Sequence, residues 1–157
     1  MSKLIRVDGD LIAMAKQGKL DIIIHGCNCF CTMGGGIARQ IRNEFPSAWI
    51  ADNKTSQGSP LKLGTWSESD ENGVIVINAY TQYSMNRGTN EDLFEYASFG
   101  LILRKLELCY RDIPGARFGL PMIGMGLAGG NPDRILKIIE DWANRIPNPV
   151  TLVTYKP

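Results

Sequence analysis

Apolar runs rich in β-branched residues recur along the chain at the spacing of strands. Residues 20–25 (Leu-Asp-Ile-Ile-Ile-His) and 74–80 (Val-Ile-Val-Ile-Asn-Ala-Tyr) are nearly unbroken hydrophobic stretches, as expected of strands covered on both faces. Shorter runs at residues 4–7, 116–121 and 150–155 predict three more strands, and residues 61–66 predict an edge strand. Between them the apolar period lengthens to that of a helix. Residues 37–45 place Ile37, Ala38, Ile41 and Phe45 on one stripe, with Pro46 as the stop. Residues 92–110 put Leu93, Tyr96, Ala97, Leu101 and Leu108 roughly on one side, and residues 132–146 form a further helix bounded by Asn131 or Asn148. Residues 11–17 make a short helical turn closed by Gly18.

Turn chemistry punctuates this pattern. Asp8-Gly9-Asp10 ends the first strand, and Asp70-Glu71-Asn72-Gly73 is a hairpin turn. Residues 83–90 form a polar loop, and residues 26–36 read as loop throughout. Strands alternating with helices predict an α/β fold in three α/β/α layers, with a mixed, mostly parallel sheet and helices on both faces. In such a sheet the ligand crevice lies at the carboxyl ends of the strands. No linker, repeat or low-complexity stretch divides the 157 residues, which predicts one domain over residues 1–157.

Composition changes this picture little. Apolar residues make up 44% and charged residues 21%, with a net charge of +1, so the chain carries no field for sequence-independent nucleic-acid or membrane binding. No sequence-specific nucleic-acid partner is expected. With no apolar run near the ~20 residues of a membrane span and no leader pattern at Met1, a cytoplasmic monomer without membrane contact is the expectation. Cys27, Cys29 and Cys31 alternate, a spacing unlike that of zinc ligands, and Cys109 stands apart; reduced thiols and no metal follow. No cofactor is implied.

The candidate chemistry sits in two glycine-rich segments, Met33-Gly34-Gly35-Gly36-Ile37 and Gly124-Met125-Gly126-Leu127-Ala128-Gly129-Gly130. Each follows a buried strand and precedes a helix, where bare amides and a helix N-terminus suit a phosphate. A pair of such loops would hold a diphosphate from both sides without a basic side chain. Tight helix–sheet turns are the alternative for either loop alone. Neither loop is a G-x-x-x-x-G-K-[ST] phosphate loop, and the first fails the G-x-G-x-x-G pattern.

Residues 23–38, Ile-Ile-His-Gly-Cys-Asn-Cys-Phe-Cys-Thr-Met-Gly-Gly-Gly-Ile-Ala, resemble the first ligand loop of macrodomains. They are closest to the branch containing the yeast ADP-ribose-1''-phosphate phosphatase. Val7-Asp8-Gly9-Asp10-Leu11 resembles the family's early x-G-[DN]-[IL] motif, and residues 120–130 resemble its second phosphate loop. The resemblance spans the chain with the motifs in family order. It implies a small-molecule nucleotide ligand, ADP-ribose or ADP-ribose-1''-phosphate.

The resemblance also implies roles. Asp10 would accept from the adenine amino group and the Leu11 amide would meet the ring; a helix cap is the alternative for Asp10. Asn28 would touch the distal ribose. Gly34, Gly35, Gly36 and Ile37 would line the diphosphate from one side, and Gly124, Met125, Gly126, Leu127, Ala128 and Gly129 from the other. Thr81 and Gln82, which follow the second buried strand, would also contact the ligand. Tyr155 would stack on adenine, or else serve as a core aromatic. In the phosphatase branch the histidine matching His25 is assigned a catalytic role, so His25 and Asn28 are the catalytic candidates; a ring satisfied by backbone is the alternative for His25. Catalytic bases further afield would be Glu91 or Asp92. Cys29 and Cys31 lack a basic neighbour in sequence that would stabilise a thiolate.

This chain departs from the family at two places. Relatives that remove ADP-ribose from protein or DNA keep a lysine after the second buried strand, where Gln82 stands. The deacylases among them keep an aspartate in the second loop, where Ala128 stands. Neither replacement can act as nucleophile or base. Hydrolysis of ADP-ribose-1''-phosphate to ADP-ribose and phosphate is the expected activity. A non-catalytic reader of ADP-ribose is the alternative, with an ADP-ribosyl ester hydrolase using ligand-positioned water as a third reading.

Overall fold

The computed structural model describes residues 2–85, 91–126 and 128–156. Six strands form one sheet in the order β1-β6-β5-β2-β4-β3. They are β1 (Ile5–Gly9), β2 (Ile22–Cys27), β3 (Trp66–Glu71), β4 (Val74–Tyr80), β5 (Phe118–Leu120) and β6 (Val150–Tyr155). All neighbouring pairs are parallel except β3 with β4. Five helices among the described residues cover it: α1 (Leu11–Lys16), α2 (Gly36–Glu44), α3 (Pro46–Asn53), α4 (Tyr96–Tyr110) and α5 (Pro132–Arg145). Among the described residues no helix is long and apolar enough to cross a membrane.

The two faces of the sheet follow from the strand period of two. Ile22 and Ile24 of β2 with Ile77 and Ala79 of β4 point toward α4 and α5, where they meet Phe99, Leu103, Leu106, Ile135, Ile139 and Trp142. Ile23 and Cys27 with Val76 and Tyr80 point the other way, against Leu11, Ile12, Ile41, Phe45 and Ala48 of α1, α2 and α3. This is the three-layer α/β/α arrangement that the alternating pattern predicts.

Several boundaries differ from the sequence expectation for identifiable reasons. Pro46 does not stop the helical region; it opens α3 at the first-turn position, where its missing N–H costs nothing. The predicted strand at 61–66 is a 3₁₀ turn, Pro60–Lys62, followed by a bend at Gly64 (φ 82°). The edge strand is instead the polar stretch Trp66–Glu71, which hydrophobicity alone does not reveal. It is joined to β4 by Asn72 and Gly73, both with positive φ (54° and 83°), as a two-residue primed turn requires. Helix α4 begins at Tyr96 rather than residue 92. Its lead-in is held by other partners: the Leu93 amide donates to the Ala128 carbonyl (2.8 Å) and the Glu95 amide to that of Thr81 (2.7 Å). Strand β2 runs on through Gly26 and Cys27, residues read from sequence as loop.

Candidate functional site

The glycine segments flank one cleft. The first follows β2 and the second follows β5, which are hydrogen-bonded neighbours in the sheet. Both therefore emerge at the same carboxyl edge. Between them is a cavity of about 430 Å³, within the range of roughly 300–1,000 Å³ typical of small-molecule sites. Asn28, Gly34, Gly35, Gly36, Ile37, Gln82, Gly124, Gly126, Ala128 and Tyr155 all line it. Leu127 lies outside the described residues, as do residues 86–90 of the polar loop.

The first loop is held in an unusual backbone path. Cys31 (φ 58°), Met33 (φ 37°) and Gly36 (φ 56°) all have left-handed conformations, two of them on residues with a Cβ. Each such residue costs of order 1 kcal/mol or more and persists only when its surroundings enforce it. Those surroundings are visible. The Asn28 side chain accepts from the Phe30 amide (2.8 Å) and donates to Thr32 Oγ1 (2.7 Å). Cys31 Sγ donates to the Asp52 carbonyl (3.1 Å). The buried Lys62 ammonium donates to the Cys29 carbonyl (3.0 Å) and reaches Cys31 Sγ (3.6 Å), while stacking on the Tyr80 ring at 4.3 Å. The cysteines thus have a basic neighbour in space that is 33 residues from Cys29 and 31 from Cys31 in sequence, and no local signal could have found it.

Helix α2 opens directly onto the cleft. Its cap, Gly35, contributes no side-chain oxygen, so the amides of its first turn have no internal partner and point at whatever occupies the site. The second loop works differently. Helix α5 begins with Pro132, which has no N–H, and its cap Asn131 accepts from the Arg134 amide (3.1 Å). The α5 cap thereby takes up the Arg134 amide, and the second loop turns its own Ile123, Met125, Gly129 and Gly130 amides onto carbonyls of residues 121–126. It is braced by the Gly130 amide donating to the Gly124 carbonyl (2.8 Å). Gly129 (φ 70°) is packed so closely that an added Cβ would sit 2.5 Å from the Glu91 carbonyl oxygen. Only glycine fits there.

Other expected site residues do not reach the cleft. Asp10 caps α1, its carboxylate accepting from the Ala13 amide (3.1 Å). Leu11 is buried in the core beneath that helix. Thr81 is fully buried, Met125 packs against the α4–α5 face, and Gly129 serves the loop's own geometry; none of the three lines the cavity.

The largest correction concerns His25. Its position in β2 turns the ring into the interior against α3, not into the crevice. It is 0% exposed, with Nε2 2.7 Å from Asn78 Oδ1 and Cys27 Sγ at 3.6 Å. Burial pushes its pKa down to about 4, with the Asn78 contact opposing. The ring is neutral at neutral pH and does not line the cavity. His25 shares the α1–α3 face of β2 with Cys27 but lies two residues further from the carboxyl end, so Gly26 and Cys27 line the cleft and His25 sits below it.

Sequence reading gave no site role to Asp52 or Val153, which do line the cleft, and quoted Cys27, Met33 and Ile123, which line it too, only as members of the loop motifs. Burial raises the Cys27 thiol well above its usual range, so it is no nucleophile. Asp52 was hidden because α3 itself was hidden. It is the lone carboxylate among the described residues lining the cavity. Its Oδ1 accepts from Tyr80 Oη at 2.6 Å, and burial raises its pKa, with Tyr80 and Lys62 opposing.

This fold is known. A macrodomain protein from Streptomyces coelicolor superposes with a TM-score of 0.70 at 26% identity, over 96% of this chain and 97% of that one. Thermosipho africanus DarTG, solved in complex with ADP-ribose, superposes at 0.72 with 14% identity, over 93% of this chain and 40% of that one. The chain has the macrodomain fold. No protein-family model matches it. It is 32% identical over 157 residues to an uncharacterized 17.5 kDa protein of the tk-vs intergenic region of Enterobacteria phage T4, covering 96% of both chains. The chain belongs to the same family as that phage protein.

Proposed function

We propose that the cleft binds ADP-ribose and that the protein hydrolyses ADP-ribose-1''-phosphate to ADP-ribose and phosphate. The observation that carries the reading is the pairing of two glycine loops across one cavity, the first of them leading into the uncapped start of α2. Such a surface takes a diphosphate through backbone donors and a helix dipole. It also offers donors for a phosphate leaving the distal ribose. The neighbour solved with ADP-ribose shares this fold, which supports the ligand class. Tyr155, 57% exposed at the end of β6 and lining the cleft, offers a ring to the adenine.

In this reading Asn28 orders the first loop and faces the distal ribose, while His25 keeps the strand and α3 in register. Gln82 at the cleft, with its amide nitrogen donating to the Ser84 carbonyl (2.9 Å), argues against removal of ADP-ribose by a lysine-dependent route. A reader without turnover is the second reading, favoured by a lining that is almost entirely neutral. Titration calorimetry with ADP-ribose, paired with phosphate release from ADP-ribose-1''-phosphate, separates them. Heat without phosphate leaves the reader; no heat refutes both.

A further inference from the structure

We infer that Gln40 reads the base edge of the bound nucleotide, and that the cleft therefore takes 6-amino and 6-oxo purines alike; the assignment rests on the ADP-ribose reading above. Among the described residues, the carboxamides lining the cleft are those of Asn28, Gln40 and Gln82. Asn28 is engaged by Phe30 and Thr32, and Gln82 donates to the Ser84 carbonyl. Gln40 is exposed, and its carboxamide makes no hydrogen bond among the described residues. Asp10, whose family counterpart meets adenine, caps α1 and stays out of the lining.

Helix register places Gln40 at one end of the cleft. Helices α1 and α2 both start at the carboxyl edge of the sheet, and their last residues meet where Lys16 pairs with Glu44 (3.2 Å). Glu44 therefore faces α1. Gln40, one turn earlier, lies on that same side of α2 and about 6 Å nearer the cleft, level with the first turn of α1. Tyr155 reaches the same place from the sheet: it stands opposite Gly9, just before the α1 cap, and the Lys156 amide donates to the Gly9 carbonyl (2.8 Å). Its ring is the one aromatic in the described lining. Gln82 follows β4, three strand spacings from β6 in the sheet order, or roughly 14 Å. A base stacked on Tyr155 thus has its edge toward Gln40, with the distal ribose toward Asn28 and Gln82.

The chemistry of a carboxamide decides which edges fit. It sets an acceptor oxygen beside a donor NH2, and a half-turn about its last torsion exchanges them. Facing adenine, the oxygen accepts from the 6-amino group and the NH2 donates to N1. Facing hypoxanthine, the half-turned group donates to the 6-oxo oxygen and accepts from N1–H. Each is a paired contact of the kind a glutamine makes to adenine in nucleic acids. A carboxylate in that place has acceptors alone and would leave the 6-oxo oxygen against another acceptor. No basic side chain stands in the described lining, so no fixed donor selects the 6-oxo form either.

Calorimetry with three probes tests the assignment: ADP-ribose, its hypoxanthine counterpart, and the etheno derivative of ADP-ribose, in which a bridge covers the base edge. Wild type is expected to bind the first two within about fivefold of each other, and the etheno derivative more than about fivefold more weakly than ADP-ribose. Gln40→Leu is expected to lose more than about fivefold toward ADP-ribose and its hypoxanthine counterpart. Its affinity for the etheno derivative should stay within about twofold and its melting temperature within about 1 °C, because the side chain is exposed. A merely structural role would weaken all three probes together, and that result overturns the assignment. So does a folded Gln40→Leu that keeps ADP-ribose affinity within about fivefold of wild type. Wild type alone also decides, whether or not the variant folds. The assignment fails if wild type binds the hypoxanthine counterpart more than about fivefold more weakly than ADP-ribose, or the etheno derivative equally well. Wild type that binds none of the probes overturns the ADP-ribose reading itself, and the assignment with it.

Discussion

Lowering the pH from 7 to 5 should destabilise this protein through a single side chain, His25. An unfolded histidine titrates near 6.5, whereas burial holds His25 at about 4. Between those values the unfolded chain binds a proton that the folded chain refuses, so stability is complete above about 6.5 and falls as pH drops toward 4. Each pH unit inside the window is worth about 1.4 kcal/mol, and the loss between pH 7 and 5 comes to about 2 kcal/mol. Asp52 acts in the opposite sense, because its raised pKa favours the protonated folded form as pH falls. Comparing wild type with His25→Gln isolates the histidine. Urea unfolding followed by tryptophan fluorescence at both pH values is the assay. With a urea slope of roughly 1–3 kcal/mol/M, the wild-type midpoint should fall by about 1 M more than that of the variant. As the chain has one histidine, its ring protons can also be titrated by NMR without assignment. Parallel losses in the two proteins, or a ring titrating near 6.5, would refute the reasoning.

Other outcomes follow from the loops. An added Cβ on Gly126 meets no atom within 4 Å, so Gly126→Val should keep its melting temperature while lowering ADP-ribose affinity at least about tenfold by filling the cleft; unchanged affinity would remove Gly126 from the site. Gly124 (φ 74°) would drive a Cβ into the Phe94 ring, and Gly124→Ala should lower the melting temperature by roughly 5–10 °C, corresponding to about 2–3 kcal/mol. Lys62→Met should cost about 2–3 kcal/mol in chemical denaturation by removing a charged donor from the Cys29 carbonyl. Tyr155→Ala should leave stability within about 0.5 kcal/mol while weakening ADP-ribose measurably in calorimetry.

The sheet was legible because its central strands are nearly pure hydrophobic runs. The two loops were legible because glycines clustered directly after such runs mark where backbone must come close to a ligand or a neighbouring element. What stayed hidden has a common physical cause: sequence periodicity reports which residues are apolar, not which face of a strand a polar residue takes or what lies across the sheet. His25 ends an apolar run, and only the extension of β2 by two residues beyond the expected end sets its ring back from the carboxyl edge and into the core. Asp52 sits on a helix whose opening proline reads as a terminator. The Lys62–Cys31 contact joins residues 31 apart in sequence. The polar edge strand β3 exists because β4 supplies its partner, with Ser67 opposite Asn78 and Ser69 opposite Val76.

The sheet order has a consequence for how the site comes into being during synthesis. The hairpin of β3 with β4, and β4 with β2, close with about half of the 157 residues made. Strand β1 has no such opportunity: its neighbour is β6, with Ile5 opposite Thr151. It waits unpaired while the whole intervening chain emerges, and closing so long a loop is entropically unfavourable until β6 docks. Val153 and Tyr155, which wall one side of the cleft, arrive with that same strand. A nascent chain stopped short of residue 150 would therefore carry a bare β5 edge and an orphaned first strand, which invites intermolecular pairing. Ligand binding has to await β6, and a chain cut short of it is expected to aggregate rather than to bind weakly.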